Sequence, residues 1–209
     1  DNLEASFKHD WSQNGIETNG EVSWASNRKM SGDFLLKKLN GWSSVETTVD
    51  VSTPYYNWRA VKATSKYTLG DNSLETTNTF QWDNQQMQLG FKGEMDLRRH
   101  MLDGRITFSS PFRGFEDLSL TGRHTDNGRN FNSNLEASWA RGQAISTRFT
   151  MQHQRRGWAL TNNGELSIST PFPDARQMGL TWQHSNSDSD INCHYELMYN
   201  NKKSVYDME

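Results

Sequence analysis

The sequence predicts an all-β chain, a large antiparallel meander sheet of about four repeats of roughly 58 residues with one apolar face and one polar face. Three observations predict it. Apolar and polar residues alternate with a period of two along nearly the whole chain, the spacing of a strand covered on one side only. A triplet of small hydroxyl residues and proline recurs as Ser52-Thr53-Pro54, Ser109-Ser110-Pro111 and Ser169-Thr170-Pro171, with the prolines 57 and 60 positions apart (111 − 54 and 171 − 111). Only 33% of residues are hydrophobic and mean hydropathy is -0.90, yet there are 8 Trp, 10 Phe and 6 Tyr. The apolar content therefore sits in a few large side chains, too little for a sheet buried on both sides and enough for one.

Each proline closes an alternating segment, Val49-x-Val51, Ile106-x-Phe108 or Leu166-x-Ile168, and is followed by an aromatic residue, Tyr55, Phe112 or Phe172. Proline at a strand end stops the ladder where its missing N–H does least harm. After a link containing Trp58, Phe115 or Ala175, a second strand reads Val61-x-Ala63-x-Ser65-x-Tyr67, Leu118-x-Leu120-x-Gly122-x-His124 and Met178-x-Leu180-x-Trp182-x-His184. Leu3-x-Ala5-x-Phe7-x-His9 fits the same template.

A polar turn follows, Asn14-Gly15 or Asp126-Asn127-Gly128, of the kind that closes hairpins. The third strand carries Ile16, Thr18, Gly20, Val22 and Trp24 on one face. Its counterparts end in Trp82, Trp139 and Tyr199. The fourth carries Met30, Phe34 and Leu36, then Met87, Leu89, Phe91 and Met95, then Ile145, Phe149 and Met151, and its last copy is expected to start at Val205. The units run approximately over 1–44, 45–101, 102–158 and 159–209 and form a single continuous repetitive region. Because the start at Asp1-Asn2-Leu3-Glu4 falls inside a unit and Glu209 inside a strand, the region is expected to be a fragment of a longer chain.

The net charge of -3 is spread over interspersed residues of both signs. Nothing in it suggests the positive field that a nucleic acid or an anionic membrane surface demands, and no nucleic acid is expected as a partner. Cys193 is the single cysteine and is expected to be a small strand side chain. No apolar run is long enough for a membrane helix, and no Asn-x-Ser/Thr acceptor occurs. His9, His124 and His184 recur at equivalent strand positions. Successive four-strand units would hold them roughly 19 Å apart, too far to converge on a metal, so no metal site is expected. Basic pairs stand at the links as Lys37-Lys38, Arg98-Arg99, Arg155-Arg156 and Lys202-Lys203. Their ordinary role is as solvated loop charges that blunt sheet pairing, and their sharper one is contact with lipid headgroups or an acidic receptor. No Ser/His/Asp set, phosphate loop or other catalytic constellation is present, so no enzyme is expected.

One face, with Glu46, Thr48, Asp50, Lys62, Thr64, Lys66, Glu136 and Arg148, suits water. The other carries Phe7, Trp24, Phe34, Phe80, Trp82, Phe91, Phe108, Leu120, Trp139, Phe149, Leu180, Trp182 and Tyr199, the residues expected to face lipid. At about 25 cal/mol per Å² and 150–250 Å² per aromatic side chain, covering ten such residues is worth on the order of tens of kcal/mol. A second sheet, the acyl chains of a carried particle, and the core of a bilayer around a membrane β-barrel could each supply that cover. A structural or adhesive repeat protein would use the first.

The Ser-Thr-Pro-Phe-Pro run at 169–173, the Ser-Ser-Pro-Phe-Arg-Gly-Phe run at 109–115 and the strand after each resemble the β-rich region of the large lipid transfer proteins, the apolipophorins, vitellogenins and apolipoprotein B. The second unit departs from the pattern with Tyr55-Tyr56. The resemblance implies a sheet that lines a lipid cavity or wraps a particle, as part of a secreted, extracellular lipoprotein-type carrier for lipid transport. It implies lipids, the remainder of the same polypeptide and a lipoprotein receptor as partners, and no cofactor beyond bound lipid.

Overall fold

The computed structural model describes residues 3–25, 28–140, 143–187 and 190–208. Asp1, Asn2 and Glu209, on which the expectation of continuing chain rests, lie outside them. The described residues form strands β1 (Glu4–Ser12), β2 (Gly15–Ala25), β3 (Arg28–Lys38), β4 (Ser44–Ser52), β5 (Ala60–Leu69), β6 (Ser73–Trp82), β7 (Gln85–Asp96), β8 (Met101–Ser109), β9 (Asp117–Asp126), β10 (Asn130–Trp139), β11 (Gln143–Arg156), β12 (Ala159–Ser169), β13 (Gln177–Asn186), β14 (Ile191–Tyr199) and β15 (Lys202–Met208). The only helical piece among them is a 3₁₀ turn at Pro173–Ala175. All fifteen strands belong to one antiparallel sheet whose spatial order is their order in the chain. The chain is all-β, as its alternation predicts. It divides into two compact units, Asp1–Lys92 with Ile106–Glu116, and Gly93–Arg105 with Asp117–Glu209.

In the first unit the alternation sets the register, because directly opposed residues of an antiparallel pair point to the same side. One row runs Phe7, Gly20, Gly32, Val51, Val61, Trp82 from β1 to β6, and the next runs His9, Thr18, Phe34, Val49, Ala63, Phe80. The β2–β3 register shifts between Ser23 and Ala25, at Trp24. In the second unit the row Gly122, Leu135, Thr147, Ile168, Met178, Tyr199, Lys202 crosses β9 to β15, followed by His124, Ser133, Phe149, Leu166, Leu180, Leu197, Ser204.

The proline triplets fold into one hydrogen-bonded link, repeated three times. The hydroxyl of Thr53, Ser110 or Thr170 donates to the carbonyl five residues on, of Trp58, Phe115 or Ala175, at 2.6 Å in each case. The same oxygen accepts the amide of Tyr55, Phe112 or Phe172 at 3.2–3.3 Å. The amides of Thr53, Ser110 and Thr170 donate to the carbonyls of Arg59, Glu116 and Arg176. Since the intervening proline offers no donor, the side chain completes the turn. Asn57 and Gly114 take positive φ in the first two links, and the 3₁₀ turn begun by Pro173 replaces that geometry in the third.

The start of the last strand needs correction. β15 begins at Lys202, and Val205 pairs with Glu196, on the side opposite the Phe149 row. Tyr206 and Met208, paired with Tyr195 and Cys193, occupy the side expected for Val205. The tight Tyr199-to-Lys202 turn fixes this phase, and the weak alternation of the tail does not reveal it.

Candidate functional site

Among the described residues no second layer covers the Phe34 side of the first unit or the Phe149 side of the second. Among the described residues Val45 and Cys193 are the only buried apolar side chains, and none is wholly enclosed. Phe7 is 74% exposed opposite Gly20, and Trp11, farther along the same side of β1 beyond His9, is exposed as well. Phe34 lies opposite Thr18 and Val49, Phe80 opposite Ala63, and Trp82 opposite Val61, so the registers bring Phe7, Phe34, Phe80 and Trp82 onto one side. Phe80, Val49, Ala63, Met87, Leu89 and Phe108 line a trough of about 320 Å³. Phe91, in β7, is exposed. Trp24 sits at the register shift, where its row is interrupted.

In the second unit Leu120 opposes Ala137, Trp139 opposes Leu118, and Phe149 opposes Leu166, which in turn opposes Leu180. Trp182 opposes Gly164, and Tyr199 opposes Met178. A chain of rings crosses the strands. His124 meets Phe131 edge-on with centroids 4.5 Å apart, Phe131 meets Phe149 at 5.2 Å, and Phe149 meets Trp182 at 5.7 Å.

Glycine makes the last contact possible. Trp182 lies across β12 over Gly164, where an added Cβ would come within 1.9 Å of Trp182 Cζ2. Its indole N–H donates to Asn162 Oδ1 at 3.1 Å, so the ring is half-buried without an orphaned donor. Farther along, Leu166, Ile168, Met178, Leu180, Leu197 and Tyr199 line an apolar trough of about 500 Å³ that ends at Lys202.

The proline-link aromatics join the same array. Phe112 packs on Trp82 and Phe172 on Trp139, each with centroids 6.4 Å apart. Alternation places Phe131 at the head of the row Phe131, Ser133, Leu135, Ala137, Trp139 but misses Phe112, Phe172, Tyr206 and Met208. Phe112 and Phe172 follow a proline and look like loop residues.

The recurring histidines are cross-strand hydrogen-bond partners. Nδ1 lies 2.8 Å from Thr18 Oγ1 for His9, 2.8 Å from Ser133 Oγ for His124, and 3.0 Å from Cys193 Sγ for His184. In the fourth copy Tyr67 instead donates its hydroxyl to the Trp42 carbonyl at 2.7 Å. The opposite side of the second unit is a shallow groove of about 640 Å³ floored by Ser146, Ser167 and Ser169 and walled by Arg123, Glu136 and Arg148. Asp10 accepts a hydrogen bond from the exposed Lys8 ammonium and, by that bond and its charge, holds it above its ordinary pKa. Lys38 lies over the Trp42 ring, 4.0 Å from its centroid. Comparison with protein-family models, with curated proteins and with solved structures finds no match to this chain.

Proposed function

We propose that the chain binds and carries lipid, the side bearing Phe34 and Phe80 in the first unit and that bearing Phe149 and Trp182 in the second being its apolar faces and the opposite sides its wet faces. About four repeats on a period of roughly 58 residues supply the bands of these faces. The reading rests on a single observation: large aromatic side chains are aligned on one side of each unit, and no part of the described chain buries them. A surface of this size left in water would drive aggregation, so a partner covers it. Acyl chains fit it better than a second protein sheet, because open troughs floored by Leu, Met and Phe accept fluid hydrocarbon without side-chain interlocking. Resemblance to the large lipid transfer proteins points the same way, and with it to a secreted, non-enzymatic lipoprotein component.

The test is capture and quenching. Vesicles or emulsions of phosphatidylcholine with brominated acyl chains should quench Trp82, Trp139 and Trp182 together. The triple variant F34D/F91D/F149D should lose bound lipid while keeping its β-sheet circular dichroism. Absence of quenching, together with unfolding of the triple variant, would instead assign the face to a protein sandwich.

A further inference from the structure

We infer that the second unit carries, at one end of its strands, a docking rim for a phospholipid surface with anionic headgroups; the inference rests on the lipid-binding reading and extends it to the kind of surface approached. In a meander, alternate links fall at the same strand ends, which places the β7–β8 link (97–100) beside the β9–β10 link (127–129), with the β11–β12 hairpin and its link (157–158) reaching beyond them at the same end. A hydrogen bond from the Asp126 amide to the His100 carbonyl at 3.0 Å joins the first two links, and one from the His153 amide to the Arg129 carbonyl at 2.7 Å joins the second to β11 just before its protruding end. Arg98, Arg99, Arg129, Arg155 and Arg156 all stand exposed on this rim.

Two carboxylates, Asp96 and Asp126, flank these links and bond within them, and Asp190 stands in the β13–β14 link at the same end of the unit. Asp96 accepts the amides of Arg98 and Arg99 at 2.9 and 3.1 Å and lies 3.6 Å from the Arg99 guanidinium. Asp126 accepts the Gly128 amide at 2.7 Å. Among the described residues no carboxylate pairs with Arg98, Arg129, Arg155 or Arg156, and the Arg155 guanidinium donates only to the Gly157 carbonyl. At the crests between them stand Leu97, 71% exposed, and Trp158, 82% exposed.

Guanidinium forks match phosphate oxygens, and an indole beside them is suited to the headgroup depth of a lipid layer. A nucleic acid is disfavoured because the chain as a whole is at -3, so the positive charge is local and screened within about 10 Å. A headgroup layer needs only that range, and the apolar side begins immediately below the rim at Leu160 and Met151.

Vesicles of phosphatidylcholine, alone or mixed with phosphatidylserine, provide the experiment, read by co-sedimentation and by the emission of Trp158 against a Trp158→Phe control, with a parallel set carrying brominated acyl chains to read the quenching of Trp182. Phosphatidylserine should strengthen binding at low salt and blue-shift Trp158. At about fivefold per arginine near an anionic surface, the quartet R98Q/R129Q/R155Q/R156Q should weaken binding by two orders of magnitude or more, whereas the same positions changed to lysine should keep it. Neutral vesicles that bind and quench Trp182 with no gain from phosphatidylserine would overturn the rim and leave the lipid face standing. Phosphatidylserine-dependent binding abolished by the quartet, without quenching of Trp182, would support the rim and remove the lipid face. Capture by RNA or heparin in preference to the anionic vesicles would also overturn the rim.

Discussion

At the scale of single residues, Gly164 controls the ring array of the second unit. A methyl group there would overlap the six-membered ring of Trp182, so Gly164→Ala should lift the indole off Phe149 and break its bond to Asn162. Overpacking of this kind costs about 1–3 kcal/mol, readable as a lowered urea midpoint with a red-shifted tryptophan emission. Combined with Trp182→Ala, the cost should be well below the sum of the two, because the contact is lost only once. The sequence shows a glycine inside a strand, which signals a close approach. Which side chain approaches depends on the β12–β13 register, and that is a property of the pair rather than of either strand.

At the scale of the element, the proline link is a hydroxyl-centred turn, and its oxygen both donates and accepts. Thr170→Val keeps the shape and removes both bonds, at an expected cost of about 1–2 kcal/mol in thermal or urea unfolding. Thr170→Ser should be nearly neutral, since Ser110 already performs the same role. This element was legible because its proline, its hydroxyl and its aromatic residue are all set by local geometry. The last strand was not, since Lys202-Lys203-Ser204-Val205-Tyr206 has no clear alternation and its phase comes from pairing with β14. The corrected phase makes its own prediction: Tyr206→Asp should reduce capture of brominated phosphatidylcholine, and Val205→Asp should leave it unchanged.

At the scale of the whole molecule, the strand order was readable from short links and period-two alternation, whereas the cover of the aromatic side was not. A side chain that meets an acyl chain and one that meets another sheet obey the same pattern, so the distinction lies in the partner. The strand order has a further consequence. Every strand pairs with its immediate neighbours in sequence, so each ladder closes over a short loop and none awaits a distant segment. Such a chain behaves as a one-dimensional array, in which opening begins at the ends and spreads inward. β1 and β15, each with a single partner and exposed along its length, should exchange their amide protons fastest, with protection rising toward the interior strands. Evolution can lengthen or trim a sheet of this kind hairpin by hairpin without rethreading anything already built, so that reach becomes a matter of how many times a segment is copied.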